Sequence, residues 1–516
     1  MNETNIGLPS NWVWTSLDEL MDRLQYGFTA KAKQNSAGPK FLRITDINEG
    51  VIDWDTVPNC EIHSGKIEKY RLFEGDIVFA RSGSIEKACM IVDPPEAIFA
   101  SYLIRGRPLH PTIGIWTKYF VQSTAYLSQI GAAASGIGMQ NVNAKKIGLV
   151  SIPIAPLHEQ SRITSKIESL QSRSAKARKA LEAIPPLLEK FRQSVLSSAF
   201  KGDLTADWRA QNPDIEPAEK LLERIRKERR KRWEEDELAK MKAKSKTPKD
   251  DKWKKKYKEP EPVDTADLPK LPEGWCWGPL EILGIHQSGI AYKSKDFTNS
   301  GIQVIKLGNL YQGRFDLSRD PTFLPQDHPA VFEGLLHPRD LIISQTGTRF
   351  KRDYGNFVII PDDAEELVLN QRLLRVRLVE SSLAKWVLYT TRLTFYRDYF
   401  FSRETGGVNQ GNVGVEGVMR GPIPFAPYQE MKVIIRQLEN ITKYTENIET
   451  ISRKEIRNLS QLDQSTLSKA FRGELVPQDP NGEPASVLLE RIKQEKASLE
   501  AGKKKRARRG RTAKRL

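Results

Sequence analysis

The amino-acid sequence contains an internal repeat, because the motifs of its first half return in the same order in its second half. The segment LPSNWVW at 8–14 matches LPEGWCW at 271–277, and SVLSSAFKGDL at 194–204 matches STLSKAFRGEL at 465–475. Self-similarity over such a long period indicates that the chain consists of two copies of one folding unit. We therefore expect two related globular segments, each followed by a helical segment.

The two copies have diverged unequally along their length. The closing segments and the EPA and LLERI motifs that follow them, at 216–225 and 483–492, are nearly alike. In the globular segments only anchor residues match, such as Gly75-Asp76 and its counterpart Arg339-Asp340. This contrast predicts that the two copies share their scaffold and bind different ligands.

Length and composition limit the classes of protein to consider. The 516 residues suffice for several domains of about 100 to 200 residues each. The three cysteines, Cys60, Cys89 and Cys276, are far apart in sequence, which argues against a disulfide framework and fits a reducing cytoplasm. The N-terminus lacks a signal-peptide pattern, and no apolar run approaches the ~20 residues that span a bilayer. We expect a cytoplasmic protein that is neither secreted nor inserted in a membrane.

The local sequence patterns predict an α+β fold. Short β-rich runs such as 76–80 and 341–344 are bounded by Gly, Pro, Asp and Ser, as strands between turns are. Each globular segment ends in a proline-punctuated strand, after which a helix is predicted. We expect two tandem mixed α/β globular segments, each followed by a long helix. The predicted segments are 1–156 and 270–427 (globular), 157–204 and 428–475 (helical), 205–269 (charged helical linker), 476–502 (C-terminal helical segment) and 503–516 (basic tail).

Apolar residues in the first long helix recur at alternating spacings of three and four, which is a heptad pattern, and the second helix carries a less regular version. Two such helices in one chain are expected to pack against each other, although a helical linker without a spacing function stays open as an alternative. A helix of about 40 residues would be roughly 60 Å long. The pair Pro185-Pro186 should kink or restart the first helix, because proline removes an amide and clashes with the preceding turn. The predicted seam residues are Ile163, Ile167, Leu170, Leu181, Ile184 and Leu188 in the first helix, and Ile434, Leu438, Ile441 and Ile448 in the second.

The net charge of +16 suggests an anionic polymer as partner. Nine lysines and arginines lie in the tail 503–516, which contains no acid, and we expect this tail to be disordered. The stretch 224–258 is dense in Lys, Arg and Glu, which favours a solvated linker. A specific role for the tail and a merely solubilising one both stay open.

The sequence offers no catalytic constellation. Asp93-Pro-Pro-Glu96 resembles the DPPY element of amino-methyltransferases, but a glutamate replaces the aromatic residue and no glycine-rich cofactor loop accompanies it, so we interpret it as a turn. The acidic pairs at 250–251 and 362–363 lack the strand-borne acid and lysine of a nuclease site. There is no GxxxxGK[ST] phosphate loop, and the six histidines show no metal-ligand spacing. We predict no catalytic residue and no metal site, which leaves binding as the function.

Polar and basic residues in the predicted loops are the candidates for DNA contacts. Arginine pairs with guanine and Asn or Gln with adenine at base edges, whereas Lys and Ser more often contact phosphate. Sets at equivalent positions of two repeats are more informative than single residues, and the richest set is 345–352. The candidates are Tyr26, Lys31, Lys33, Arg43, Arg81, Ser82, Gln140 and Asn141 in the first segment, and Tyr292, Lys293, Lys306, Gln345, Thr348, Arg349, Lys351, Arg352, Asn409 and Gln410 in the second.

The ordered motifs also carry a family resemblance. The LPxxWxW motif, the Gly-Asp-Ile strand, the PLxEQ helix entry at 156–160 and the SxLxxAFxGxL close each occur twice in some form. In this order they resemble the specificity subunit of type I restriction-modification enzymes, a host defence system, and the resemblance covers nearly the whole chain. The second copy departs from it at Pro427-Tyr-Gln-Glu-Met431, where PLxEQ is not kept.

The resemblance implies a function and a set of partners. Each globular segment would be a target recognition domain for one half of a bipartite, asymmetric DNA sequence. The two helices would form an antiparallel coiled coil that sets the gap between the half-sites. Two methyltransferase subunits and the restriction subunits would be the partners, in a bacterial or archaeal cytoplasm. S-adenosylmethionine, ATP and Mg²⁺ would be bound by those partners, and this chain would be non-catalytic.

Two other classes of function stay open from the residues alone. A nuclease or methyltransferase fragment needs a carboxylate cluster or a cofactor loop, neither of which the sequence contains. A coiled-coil scaffold with non-specific nucleic-acid binding needs only the helices and the basic tail. Competition binding at controlled salt distinguishes this scaffold from a specific reader.

Overall fold

The computed structural model describes residues 7–34, 36–48, 50–134, 140–243, 248, 250–310, 313 and 315–512, with backbone only at 243 and from 503 onward. The chain forms two compact units: unit 1 comprises 1–183 and 450–516, and unit 2 comprises 184–449. Each unit therefore combines one globular segment with helical segments from both halves of the sequence.

The globular segment of unit 1 is built on two four-stranded sheets. The first is antiparallel, in the order Met21–Tyr26, Leu103–Pro108, Ile77–Ala80, Ala88–Met90. The second has the order Ala97–Phe99, Lys40–Leu42, Asn59–Cys60, Ala32–Lys33, and its first two strands are parallel. Strand Val13–Ser16 pairs with Ser151–Ile154, which ties the start of the segment to its end. The remaining elements are strands Ile47–Asn48 and Val51–Ile52 and helices Leu17–Leu20, Ile44–Asp46, Ser64–Tyr70, Pro111–Phe120, Thr124–Ala133 and Ala144–Gly148.

The globular segment of unit 2 repeats this strand order. Its four-stranded sheet runs Gly284–Ser288, Leu373–Leu378, Leu341–Ser344, Phe357–Ile359. A three-stranded sheet of Phe323–Leu324, Ile302–Ile305 and Leu367–Leu369 corresponds to the second sheet of unit 1, and Cys276–Pro279 pairs with Pro422–Phe425. A further sheet, called the small sheet below, consists of Thr346–Thr348, Gln410–Asn412 and Thr405–Gly406. The helices are Leu280–Leu283, Ser294–Asp296, Leu307–Asn309, Val331–Gly334, Ser381–Leu383, Ala384–Thr390, Thr394–Ser402 and Val415–Met419. The predicted mixed α and β fold is confirmed.

The tryptophan of each LPxxW motif binds a glutamate at the start of a long helix. Trp12 donates its Nε1 hydrogen to Glu159 at 3.2 Å, and Trp275 donates to Glu430 at 2.9 Å. Both carboxylates are buried, so each needs such donors to offset the loss of water. This contact explains why both the tryptophan and the helix-entry glutamate occur in each copy.

The Asp of the Gly-Asp-Ile strand also has a structural role in both copies. Asp76 accepts two hydrogen bonds from Arg107, and Asp340 accepts two from Arg377, all between 2.7 and 2.9 Å. Both aspartates are buried, and this hydrogen bonding raises the pKa of Arg107. In each copy the aspartate thus anchors an arginine of the neighbouring strand within the four-stranded sheet.

In unit 1 the first globular segment packs against the helical close of the second copy. Phe471 lies edge-on to Trp116, with ring centroids 4.8 Å apart. The amide of Ala485 donates to the carbonyl oxygen of Asn11 at 2.9 Å. Residues separated by several hundred positions therefore complete one hydrophobic core.

Unit 2 shows the corresponding exchange. Phe200, from the close of the first copy, lies 4.5 Å from Trp386 of the second globular segment. The amide of Ala218 donates to the carbonyl oxygen of Gly274 at 2.9 Å. The order of segments along the chain is thus not the order in which they pack.

The first long helix is interrupted at the predicted place. Helix Leu157–Glu182 ends before Ala183, and helix Ile184–Lys201 begins with Pro185 and Pro186 in its first turn. Proline fits there because the amides of a first helical turn have no intrahelical partner. The predicted restart is confirmed.

The second long helix, Tyr428–Phe471, contributes to both units. In unit 1, Arg178 donates to Ser460 and Asp463, while Ser452 donates to the carbonyl oxygen of Leu181 at 3.0 Å. The partner number falls as the number on the first helix rises, so these two stretches run antiparallel. In unit 2, helices Ile184–Lys201 and Tyr428–Phe471 are joined by Arg192, which donates to Thr445 and Glu449.

The predicted seam is buried at its ends and polar in its middle. Ile163, Ile167, Ile434 and Leu438 are buried in the cores of their units, whereas Leu170, Leu181, Ile184, Leu188 and Ile441 are half-buried. The prediction is wrong for Ile448, which is 43% exposed. The buried positions nearby are Thr445 and Ser452, seven residues apart, because small polar side chains let the helices approach and hydrogen-bond there.

The linker between the copies is more ordered than the sequence suggested. It contains helices Asp203–Thr205, Ala206–Gln211, Ala218–Ala243 and Asp251–Lys256. Trp253 is buried and stacks on Trp233, with ring centroids 6.1 Å apart, so the expectation of a solvated stretch is wrong there. At the C-terminus, helix Ala485–Thr512 continues into the basic tail, contrary to the expected disorder, which agrees with the helix propensity of Ala, Lys and Arg.

Candidate nucleic-acid interface

Several predicted DNA-binding residues of unit 1 lie at one edge of its four-stranded sheet, formed by the ends of the strands. Strands Met21–Tyr26 and Ile77–Ala80 end at this edge, and the antiparallel strand Leu103–Pro108 begins there. The amide of Arg81 donates to the carbonyl oxygen of Tyr102 at 3.0 Å, and the amide of Val142 donates to that of Arg81 at 2.8 Å. Three chain segments distant in sequence are thereby fastened side by side.

Tyr26 and Arg81 form the centre of this edge. The Arg81 guanidinium lies 4.9 Å from the centre of the Tyr26 ring, and the Tyr26 hydroxyl accepts a hydrogen bond from the amide of Ala144 at 3.0 Å. Tyr26 is 40% exposed. A guanidinium stacked on an aromatic ring is held flat, which suits bidentate hydrogen bonding to a guanine edge.

Ser82, Gln140 and Asn141 lie beside this pair. Ser82 forms a β-bridge with Asn141, and the amide of Gly83 donates to the carbonyl oxygen of Gln140 at 3.0 Å. The Gln140 side chain is exposed. We call Tyr26, Arg81, Ser82, Gln140 and Asn141 the reading edge of unit 1.

The other candidates of the first segment lie on its second sheet or in a loop beside that sheet. Lys33 forms an ion pair with Glu61 at 2.6 Å, and Lys31 is exposed in the preceding loop. Both guanidinium hydrogen bonds of Arg43 go to Asp46, and this bonding raises the pKa of Arg43. Because the carboxylate of Asp46 already accepts hydrogen bonds from the Arg43 guanidinium, Arg43 is better explained as a cap of helix Ile44–Asp46 than as a residue that contacts bases.

Unit 2 repeats the backbone of the reading edge with other side chains. The amide of Gln345 donates to the carbonyl oxygen of Arg372 at 3.4 Å, and the amide of Val413 donates to that of Gln345 at 2.9 Å. Thr346 pairs with Asn412, as Ser82 pairs with Asn141 in unit 1. The structure thus places Gln345 at the position of Arg81.

The strand register identifies the counterpart of Asn141 in the second copy. The counterpart of Asn141 is Asn412, and not Asn409 or Gln410. The signal that could have shown this is the dipeptide Asn-Val, which occurs at 141–142 and at 412–413. Asn412 was therefore missed as a candidate.

Three candidates of the second segment are engaged within the protein. Gln345 is buried, and its amide nitrogen donates to the carbonyl oxygen of Val413 at 3.1 Å. Tyr292 packs against His328, and burial raises its pKa to about 12. Lys306 pairs with Asp320 at 2.9 Å. These side chains are better explained as structural than as base readers.

The remaining candidates, except Lys293, lie on or beside the small sheet. Arg349 donates to the carbonyl oxygens of Gly406 and Gly407, at 2.8 and 3.0 Å, and so ties the turn after strand Thr346–Thr348 to the hairpin of strands Thr405–Gly406 and Gln410–Asn412. Arg352 is exposed and pairs with Asp398 at 2.8 Å. Thr348 is half-buried in the sheet, and Lys351, Asn409, Gln410 and, in a separate loop, Lys293 are exposed.

Two exposed residues at equivalent edge positions were also missed. Tyr102 in unit 1 and Arg372 in unit 2 offer their carbonyl oxygens to the edge, and both side chains are exposed. No motif marks them, because only the strand register brings them beside Arg81 and Gln345.

The structure also bears on metal sites and membrane-spanning helices. Among the described residues, no group of three or more His, Cys, Asp or Glu side chains is arranged to hold a metal ion. In the same part of the chain, no helix combines the length and apolar character needed to cross a membrane.

Comparison with known proteins finds similar sequences among the components of restriction enzymes. Residues 9–184 match the family model described as the type I restriction modification DNA specificity domain. The chain is 23% identical over 524 residues to the type I restriction enzyme EcoKI specificity subunit of Escherichia coli strain K12, and the match covers 96% of this chain and 98% of that protein.

Solved structures show the same fold. One is a structure from work on the complex assembly and conformational transition of the type I R-M system. It aligns with a TM-score of 0.61 and 17% sequence identity, and the alignment covers 91% of this chain and 100% of that one. The crystal structure of the HsdS subunit from Thermoanaerobacter tengcongensis has a TM-score of 0.52 and 17% identity, covering 92% of this chain and 100% of that one. The names of the relatives agree with the predicted non-catalytic role in DNA recognition. In its duplicated motifs, its fold and an end-to-end match to such a subunit, the chain is similar to the specificity subunits of type I restriction enzymes.

Proposed function

We propose that this chain reads a bipartite, asymmetric DNA target, with one half-site bound by each globular segment. The observation that carries the proposal is the edge backbone that recurs in both units with different side chains: Arg81 and the exposed Tyr102 in unit 1, the buried Gln345 and the exposed Arg372 in unit 2. The same backbone arrangement thus presents different hydrogen-bonding groups in the two units, as recognition of two unlike half-sites requires.

Methylome sequencing tests this proposal. Cells that carry the chain with its methyltransferase are expected to show one methylated motif made of two unlike parts separated by a spacer of fixed length. Inserting a heptad in both long helices should lengthen the spacer, because the helical regions would set the gap between the half-sites. A single continuous motif without a spacer contradicts the proposal.

The same chain would serve as scaffold for two methyltransferase subunits and for the restriction subunits. In unit 2, the helices Ile184–Lys201 and Tyr428–Phe471 expose Leu187, Phe191, Tyr444 and Ile448. Such apolar side chains on a helical surface suit a hydrophobic partner interface. S-adenosylmethionine, ATP and Mg²⁺ would be held by the partners, and the assembly would act in the cytoplasm.

Co-purification tests the scaffold function. The double variant Leu187→Asp/Phe191→Asp is expected to lose the methyltransferase subunit and to keep the melting temperature of the unmodified chain. Phe332→Asp is the control, since Phe332 is 90% exposed, against 61% for Leu187 and 49% for Phe191, and lies in the globular segment. Retention of the methyltransferase by the double variant would exclude this surface.

A scaffold that binds nucleic acid without sequence preference is the competing function. The basic stretch from 503 onward favours it, because such a charge run binds phosphate irrespective of sequence. Removal of residues 503–516 separates the two: a specific reader keeps its preference for the methylated motif over random DNA, whereas the non-specific scaffold loses binding altogether.

A further inference from the structure

Two apolar side chains stand exposed at the tip of the small sheet of unit 2. Phe350 is 77% exposed and Val408 is 89% exposed. Phe350 also has a φ of +66°, in the left-handed region that bulky residues rarely adopt. Such a conformation costs stability and persists only where the surrounding structure enforces it, which is typical of functional positions.

The contacts around Phe350 hold it in place. Arg349 donates to the carbonyl oxygens of Gly406 and Gly407, and its guanidinium lies 4.7 Å from the centre of the Phe350 ring. Gly407 directly precedes Val408 in the hairpin between strands Thr405–Gly406 and Gln410–Asn412. One arginine therefore ties both tips together and supports the aromatic ring from one side.

The surroundings of this tip favour DNA as the occupant. Lys351 and Arg352 follow Phe350 directly and are exposed, and Arg352 forms an exposed ion pair with Asp398. Two apolar side chains give far less area than the roughly 800 Å² that each partner buries in a stable protein interface. An apolar tip flanked by cations matches a base stack flanked by phosphates.

Unit 1 has a shorter turn at the corresponding place. Seven residues, 81–87, connect strands Ile77–Ala80 and Ala88–Met90, whereas twelve residues, 345–356, connect Leu341–Ser344 and Phe357–Ile359. The apolar side chain of the short turn, Ile85, is buried. The exposed tip is thus an addition within the second segment.

We propose that Phe350, supported by Val408, is an apolar wedge that inserts between two neighbouring base pairs of the half-site bound by unit 2. This inference rests on the proposed function, since it requires that unit 2 binds DNA. Insertion of one ring unstacks one base step and kinks the duplex, and it adds specificity because pyrimidine–purine steps unstack most easily. The half-site bound by unit 1 would be read without such a wedge at the 81–87 turn.

A fluorescent base tests the wedge. The probe is a duplex that carries the methylated motif found with the unmodified chain, with 2-aminopurine placed at successive positions of both half-sites. Away from the target adenines, which a methyltransferase itself flips out of the stack, binding of the full chain with its methyltransferase is expected to raise the fluorescence at one step of one half-site, because 2-aminopurine brightens when it is unstacked. Phe350→Ala should abolish this rise and weaken binding about ten-fold, the effect of losing one aromatic stacking contact. Phe350→Leu should keep part of the fluorescence rise and part of the binding affinity.

Three further variants make the test decisive. Phe332→Ala is the control, since Phe332 is 90% exposed in the same segment. Phe350→Gly should raise the melting temperature of the free protein, because glycine tolerates a positive φ, while it abolishes the fluorescence rise. Val408→Ala should reduce the rise without abolishing it.

The outcomes separate the wedge from the proposed function. If Phe350→Ala keeps the full rise, or if Phe332→Ala loses it equally, the wedge is overturned while specific DNA binding stands. If the unmodified chain shows no preference for the bipartite motif, the proposed function fails first.

Discussion

A Cβ atom placed on Gly473 would lie 2.5 Å from Cγ of Pro9, so the proline of the first LPxxW motif packs directly on the glycine that closes the second copy. Gly473 has a φ of +75°. In unit 2, Gly202 has a φ of +81°, and its Cβ would lie 2.3 Å from Cγ of Pro272. The glycine of each AFxG close is required both by its backbone conformation and by the proline of the other copy.

Gly473→Ala is therefore expected to destabilise unit 1. The left-handed conformation and the clash with Pro9 should together cost about 1–3 kcal/mol, measured as the free energy of unfolding in urea. Gly131→Ala is the matched control, because Gly131 lies in helix Thr124–Ala133 with open space around it and should gain about 0.5–1 kcal/mol. Equal effects of the two substitutions would contradict the packing of Gly473 against Pro9.

Glu159 should make stability depend on pH. Burial raises its pKa above the ordinary value of 4.5, opposed by hydrogen bonds from Trp12 and Gln478. The folded state therefore binds a proton more readily than the unfolded state, and the stability linked to this proton is lost as pH rises through the raised pKa. Glu159→Gln removes that dependence. The urea midpoint of the variant minus that of the unmodified chain should therefore be larger at pH 7 than at pH 4. A difference that is the same at both values would show that the Glu159 pKa is not raised.

Arg81→Ala should change the half-site read by unit 1. Loss of a bidentate contact to a base costs about 1–3 kcal/mol, so methylation at that position should become less selective. Arg43→Ala is the control, since Asp46 already binds its guanidinium. If the methylome changes more with Arg43→Ala than with Arg81→Ala, the reading edge has been assigned to the wrong sheet.

Lys351→Ala should lower the salt dependence of DNA binding. One phosphate contact fewer reduces the slope of log affinity against log salt by about one and affects all sequences similarly. Lys306→Ala should change the slope less, because Lys306 already pairs with Asp320 at 2.9 Å. An unchanged slope with Lys351→Ala would place this lysine outside the DNA contact.

Several features of the fold were predictable because they depend on local chemistry. Pro185 and Pro186 end one helix and begin the next through their missing amides alone. Ile163 and Ile434 occupy the buried faces of their helices, as their heptad positions predict. Ile448 has the same residue type but is exposed, because the neighbouring helix approaches the face that carries Thr445.

The candidate site was predictable as a region and not as a set of side chains. The sequence identified Arg81 and Asn141 as candidates. It does not distinguish Arg81, which stacks on Tyr26, from Arg43, whose guanidinium is hydrogen-bonded to Asp46. Likewise, nothing in the sequence shows that Gln345 points inward to Val413. Asn412 became a candidate only when the strand register placed it opposite Thr346.

The sequence by itself determined that the chain is a duplication with variable globular segments and shared helices, because repeated motifs and periodicities are written along the chain. Only the tertiary structure decided which parts pack together. It joins Pro9 to Gly473 and Pro272 to Gly202, so that each globular segment is completed by the helical close of the other copy. The two closing segments share most of their residues, so their sequences do not show which close packs on which core, and the pairing depends on how the whole chain folds in space.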